Sequence, residues 1–189
     1  MTPPQSDARA ALLDSLNELF RRKGYDGVSI GDISAETGLG RSSLYHHFPG
    51  GKAEMAEAVL AYTRAAMEDH FFSPLTSAKS LRTRIKEMMA AVDGVYRSGE
   101  GPCVLASLLS SSDEGPLTQG LAKLFEDWVA AIASSLVREG VAPKDARRRA
   151  LTALALIQGG LVLARGLKDK SAFASSLEAA EATLLAPHA

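Results

Sequence analysis

The stretch Ser29 to Lys52, SIGDISAETGLGRSSLYHHFPGGK, reads as two short helices joined by a tight turn. Ser29 can cap the first helix, with Asp32 three residues on reaching back toward it and Val28 packing on Ile33 as a hydrophobic staple. Gly38 suits the left-handed position that ends this helix, and Gly40 is the next cap, with Leu39 and Leu44 as a second staple. A link of about three residues forces the second helix to cross the first steeply, which is the helix-turn-helix arrangement with Arg41 to His47 as recognition helix.

The residue types suit DNA. Arg41 near the helix start can fork onto guanine edges or phosphate, Ser42 and Ser43 can bond to base edges or backbone, and Tyr45 and His46 can reach phosphate oxygens. Leu44 and Phe48, four apart, share the apolar face that seats this helix on its domain. Lys52 follows a Pro49-Gly50-Gly51 break and opens a new helix, where its ammonium and free backbone N–H groups both favour a phosphate. Together with Ser29 these make the expected DNA-contacting set. A short helix pair with a few polar residues is often only structure; two capped helices at this spacing, followed by Leu-Tyr-His-His-Phe-Pro, favour DNA binding.

At Ile33, Gly38, Leu44, Tyr45, His47, Phe48 and Lys52 the chain resembles the tetracycline-repressor (TetR/AcrR) family of bacterial transcription regulators. The run Phe48 to Lys52 and the later stretch Leu161 to Leu167 look more narrowly like its LmrA/YxaF branch. Ser34 stands where the family usually has Ala, and Gly40 where it usually caps with Ser; the first is small enough to be harmless, and the second weakens the cap by only a few tenths of a kcal/mol. The resemblance implies an all-α protein with an N-terminal three-helix DNA-binding head (1–51) and a C-terminal helical body (52–189) for effector binding and dimerisation.

A chain of 189 residues that is 46% hydrophobic can bury a sizeable core. Its formal net charge of -1 is not that of a protein that coats DNA nonspecifically. Met1 to Lys52 holds six basic residues (Arg9, Arg21, Arg22, Lys23, Arg41, Lys52) and six acidic ones (Asp7, Asp14, Glu18, Asp26, Asp32, Glu36), so charge placement must supply the binding face. The single Cys103 excludes an internal disulfide and fits a reducing cytoplasm. The N-terminus has neither a basic start nor an apolar stretch, and the longest apolar stretch, Ala150 to Ala164, is short of the ~20 residues of a membrane span. A soluble, cytoplasmic protein without membrane partner is expected.

Helical periodicity runs almost throughout, giving about nine helices. A first helix is expected from about Asp7, a plausible cap, to Lys23; a fourth from Lys52 to about Phe72, stopping before Pro74 and bridging head and body; a fifth from Ser80 to Arg97. Gly99 to Gly115 reads as a loop around one short helix, Val104 to Leu109. Helices Pro116 to Glu139, Pro143 to Leu167 and Ser171 to Leu185 follow, the last two antiparallel about Lys168-Asp169-Lys170. Between Leu151 and Leu163 the long helix is apolar on most sides, more than one buried face requires, which points to a subunit partner. The resemblance implies the same, a homodimer joined through the last two helices, with Leu154, Leu161, Val162, Phe173, Leu177 and Leu184 as candidate interface residues.

In the body, Met88, Met89, Val92 and Tyr96 on one helix and Phe125, Trp128 and Ile132 on another can line an apolar effector cavity, with Gln158, Tyr96 or Cys103 as polar points. The same stripe is more often core packing than a cavity lining, since Met fills irregular gaps. Gln158 can face the cavity or the dimer, and Gly159-Gly160 beside it can admit a helix or a ligand. Cys103 has no neighbouring Lys, Arg or His in sequence to activate it, so an inert buried thiol is expected rather than a redox sensor. His46, His47, His70 and His188 have no metal-binding spacing, and no nucleophile elbow, phosphate loop or carboxylate pair is present; no cofactor, metal or enzymatic activity is expected. Two functions follow: a repressor released from a near-palindromic double-stranded operator by a small apolar or amphipathic effector, or a small-molecule sequestering protein with vestigial DNA affinity.

Overall fold

A computed structural model describes residues 5–109 and 115–187, and among these every regular element is helical. The helices are α1 (Gln5–Lys23), α2 (Ile30–Thr37), α3 (Arg41–His47), α4 (Gly51–Met67), α5 (Leu81–Val95), α6 (Val104–Leu108), α7 (Pro116–Val137), α8 (Pro143–Leu167) and α9 (Ser171–Leu184). This is the all-helical layout expected from periodicity. α1 is already helical at Gln5, so Asp7 lies inside the helix and is not its cap. Pro74 does not stop α4: a π-helical turn (Glu68–Phe72) and a short α-helical turn (Ser73–Thr76) continue it. The restart at Ser73 puts the proline in a first turn, where its missing N–H is not needed. His188, and residues 110–114 of the expected loop, lie outside the described residues.

The chain divides into two compact units. The first runs to Ala65 and takes in α6 and the opening turns of α7 as far as Lys123. Leu16, Leu19, Phe20, Val28, Ile33, Leu44, Phe48, Met55 and Val59 are buried in it. The short helix α6 packs on α1, and the Ser107 hydroxyl donates to the Arg21 carbonyl at 3.0 Å, satisfying an acceptor in the last turn of α1. Gly120 is where α7 meets α4: a Cβ there would come within 2.6 Å of Leu60 Cδ2.

The second unit comprises, among the described residues, 66–103 and 124–187. Its buried set includes Phe71, Phe72, Ile85, Met88, Val92, Leu124, Trp128, Ile132, Ile157 and Phe173. α8 and α9 pair side by side across a turn in which Lys168 adopts φ 54. Two buried arginines hold the ends of this unit. Arg84 donates to Glu139 at 2.7 Å and to the Lys79 and Ser135 carbonyls, and Arg149 to Asp145 at 2.6 Å and to the Ala186 and Pro187 carbonyls. Buried charge of this kind persists because each guanidinium is both paired and hydrogen-bonded. At 25 residues, α8 is long and apolar enough to cross a membrane by length and composition, contrary to the count of its uninterrupted apolar stretch. Thr152 and Gln158 break the stretch without making the helix polar. Yet α8 opens with three arginines, Arg147 to Arg149, and a buried stripe from Ala146 to Ala164 runs along its length.

The helix-turn-helix is fastened by side chains. Ser29 caps α2 with a full capping box: its Oγ accepts from Asp32 N–H, and the Asp32 carboxylate accepts from Ser29 N–H at 2.9 Å. Lys23 also bonds that carboxylate, and this bond, followed by those from Ser29, holds Asp32 well below the usual carboxylate range. Gly38 takes the left-handed position at φ 69, its N–H returning to the Ser34 carbonyl at 3.0 Å. The turn is then tied from both sides: the Ser34 hydroxyl donates to the Leu39 carbonyl at 2.6 Å, and Thr37 Oγ1 accepts from Leu39 N–H at 3.3 Å. Ser34, harmless by its size alone, is therefore a fastening of the turn.

Two predictions follow from this geometry. Ser34→Ala should lower stability by about 0.5–1.5 kcal/mol, the worth of one hydrogen bond, in denaturant unfolding; an unchanged midpoint would show that the turn does not depend on it. Because Asp32 is ionised below its unfolded pKa of about 3.9, its contribution is present above that value and fades as pH falls through it toward the lower folded pKa. The stability difference between the native chain and Asp32→Asn should accordingly shrink between pH 6 and pH 3, and a difference constant with pH would refute the assignment.

Candidate nucleic-acid interface

α3 is a seven-residue helix with one face inside and the rest outside. Leu44 and Phe48 are buried, whereas Arg41, Ser42, Tyr45, His46 and His47 are exposed and Ser43 is half-buried. Tyr45 is 48% exposed, a large aromatic left at the surface. The Gly40 N-cap is extended at φ -66 with no side-chain cap bond, so the first-turn N–H groups of α3 have no side-chain cap, and that turn carries no acidic residue. Arg41 stands on this turn, where helix dipole and side chain both favour an anion.

Charge placement answers the zero balance of the head. Arg22 is paired with Glu36 at 2.8 Å and Lys23 with Asp32, while Arg21 is buried. These pairs neutralise the basic end of α1 against α2. Arg9, which the motif did not single out, lies with its guanidinium 5.6 Å over the Phe48 ring, beside a groove of about 410 Å³ lined by Ala8, Arg9, Leu12, Leu39 and His47. The cation–π contact sets Arg9, in the N-terminal turns of α1, over the residue that ends α3. Sequence separation hides it.

The other expected contacts are differently occupied. Ser29 is exposed, but its hydroxyl is committed to Asp32. Lys52 is half-buried: its ammonium donates to the Tyr25 carbonyl at 3.1 Å and sits 4.4 Å from the Tyr25 ring centre, tying the start of α4 to the turn after α1. His46 and His47 have ring centres 5.8 Å apart in an edge-on arrangement.

In the second unit, Met88, Met89, Val92, Tyr96, Cys103, Trp128 and Ile132 are buried, and Phe125 and Gln158 are half-buried. The Tyr96 hydroxyl donates to Cys103 Sγ at 3.3 Å, and the Tyr96 ring meets Phe173 edge-on at 6.2 Å. Phe173 therefore belongs to the interior of its own chain. So do Leu154, Leu161 and Leu184, at 7%, 3% and 1% exposure, which corrects their expected place on a partner-facing surface; Leu177 is half-buried. Of that set Val162 is exposed, at 70%, and the other exposed large apolar residues of α8 are Leu151, Leu163 and Leu167. Periodicity reveals that α8 has two apolar faces but not which of them α9 covers.

Comparison with known proteins agrees with this geometry. The family model for bacterial regulatory proteins of the tetR family matches residues 12–59, and that for the C-terminal domain of LmrA/YxaF-like transcriptional regulators matches residues 77–179, more than half of the chain. The chain is 27% identical to the HTH-type transcriptional regulator YxaF of Bacillus subtilis over 171 residues, 88% of this chain and 90% of the relative. It is likewise 27% identical to the regulator LmrA of the same organism over 169 residues, 87% and 90% of the two chains. In fold it is similar to a TetR transcriptional regulator from Legionella pneumophila, with a TM-score of 0.84 at 20% identity over 97% of this chain and 99% of the other. A TetR-family regulator from Streptomyces coelicolor gives 0.79 at 20% identity over 95% of each chain. With a helix-turn-helix in residues 30–47 and family models matching residues 12–59 and 77–179, the chain belongs to the tetR family of bacterial regulatory proteins, in its LmrA/YxaF-like group, and is a DNA-binding transcriptional regulator rather than an enzyme.

Proposed function

We propose that the protein is a cytoplasmic, ligand-responsive repressor that acts as a homodimer. The observation that carries this reading is α3, which turns Leu44 and Phe48 inward and leaves Arg41, Ser42, Tyr45 and His46 exposed around its uncapped first turn. A stretch that served only to fold would not need an exposed arginine and tyrosine there. Residues 1–51 form the DNA-reading part, in which Arg41 reads a base edge, Ser42 and Ser43 bond to bases or backbone, and Tyr45, His46 and Lys52 meet phosphates. Ser29 acts by holding α2, and Arg9 adds a cation at the edge of the same face.

Residues 52–189 carry the effector and subunit contacts. The exposed apolar set Leu151, Val162, Leu163 and Leu167 on α8 is a surface that a second copy would cover. A two-fold dimer puts the two reading helices about one DNA turn, ~34 Å, apart on a near-palindromic operator. A small apolar or amphipathic effector bound in the body would shift α4, which continues without a break from one compact unit into the other, and a coupling of ~1–3 kcal/mol would release the DNA.

The first test is a gel-shift titration against the DNA immediately upstream of the coding sequence, with excess nonspecific competitor. A shift that survives competitor is expected; failure there and with a selected random library would leave sequestration of small molecules as the function. Arg41→Ala should cost ~1–3 kcal/mol of specific binding and relax the preference at one base position, and equal loss on every sequence would remove its base-reading role. Lys52→Ala should weaken all sequences alike and lower the salt slope by ~1. Since Lys52 also holds the Tyr25 carbonyl, its thermal unfolding is measured alongside, and a full loss of salt-slope effect with only destabilisation would make it a structural tie.

A further inference from the structure

Two features of the body's core fall on one spot. Trp128, the only tryptophan of the chain, is fully buried, and its indole Nε1 has no hydrogen-bond partner among the described residues. A buried donor without an acceptor is costly, and native cores leave few of them. Stacked on that indole, at 5.1 Å between ring centres and 29° between planes, is Phe71. Phe71 lies in the π-helical turn Glu68–Phe72, where the Ser73 N–H reaches back five residues to the Glu68 carbonyl. Such a turn holds one residue more than an α-helical turn, is uncommon, and gathers at functional sites. Its return to α register rotates the side chains on one side of it by about 100°, one residue's share of an α-helical turn. The ring packed on the orphan donor is thus one that a change of helix register would swing away.

The neighbours set the chemistry of what would enter. α5 packs against the π turn and buries Ile85, Met88 and Met89, and Ile132 lies one helical turn beyond Trp128. These are hydrocarbon and thioether groups, and among them and Phe71 the indole N–H is the one polar hydrogen-bond donor offered by a side chain. An ionised carboxylate would lose its hydration there for a single neutral donor, which disfavours an anionic group at this point. We propose that the effector site opens between Phe71 and Trp128 and takes an apolar molecule bearing a neutral acceptor, a ketone, ester or ether oxygen, that receives the indole N–H. This rests on the ligand-responsive reading above and names the chemical class of the effector.

The lone tryptophan makes the test direct. The full-length protein is titrated with ketones and hydrocarbons of matching outline: acetophenone and ethylbenzene, benzophenone and diphenylmethane, fluorenone and fluorene. Binding is followed by Trp128 emission and independently by calorimetry. At least one ketone should bind about tenfold more tightly than its hydrocarbon, the factor of one ordinary hydrogen bond, and the advantage should fall below about threefold in Trp128→Phe. In nitrogen-labelled native protein the indole N–H resonance should move downfield on saturation with that ketone, a readout that holds even where the variant fails to fold. Equal binding within every pair, an advantage unchanged in the variant, an indole resonance indifferent to the ketone, or no binding of any ketone would each overturn the proposal. The ligand-free gel shift separates the two readings. A chain that binds its operator but ignores the ketones loses only this site, and one that binds ketones through Trp128 but no DNA loses the regulator role instead.

Discussion

The seating of α3 by Leu44 and Phe48 is the constraint on which the rest depends. With both side chains buried, a seven-residue helix that would not be stable alone is held in one rotation about its axis. That rotation alone decides that Arg41, Ser42, Tyr45 and His46 point outward. The three-residue turn before it cannot be allowed to flex, and the hydroxyls of Ser34 and Thr37 bond Leu39 from both sides. Arg9 over the outer ring of the pair closes the arrangement from α1. Reading DNA therefore rests on apolar packing, with the polar residues carried by it.

Electrostatics refines this frame. A head with equal numbers of acidic and basic residues has no net attraction for DNA, and selective pairing removes the difficulty. Arg22 and Lys23 are matched to Glu36 and Asp32 of α2, so their charges cancel locally, whereas Arg41 stands on a helix start without an acidic neighbour in its turn. The body uses charge otherwise. Arg84 and Arg149 are buried, and both are bonded to carboxylates and backbone carbonyls near the ends of its helices.

Much of this was legible beforehand, because local rules act over a few residues. The Ser29 and Asp32 capping box, the left-handed Gly38, the bounds Arg41–His47 and the turn at Lys168 all depend on neighbours within about one helical turn. Pro74 misled, since proline disfavours a helix interior but not the first turn of a restarted segment. The interface set misled for a different reason. Leu154, Leu161, Phe173 and Leu184 have the spacing of a buried face, and spacing does not say whether one's own chain or another covers it.

By itself the amino-acid order determined an all-helical chain, the place of its helix-turn-helix and the residue types offered to DNA, since capping, turn chemistry and 3.6-residue periodicity are short-range effects. Only tertiary structure decided that α6 joins the head, that Arg9 reaches Phe48 and that Lys52 is held by Tyr25. It also decided that Trp128 keeps a buried N–H unpartnered beneath Phe71. Each of these joins residues tens of positions apart, and contacts at that range are chosen by how the whole core packs.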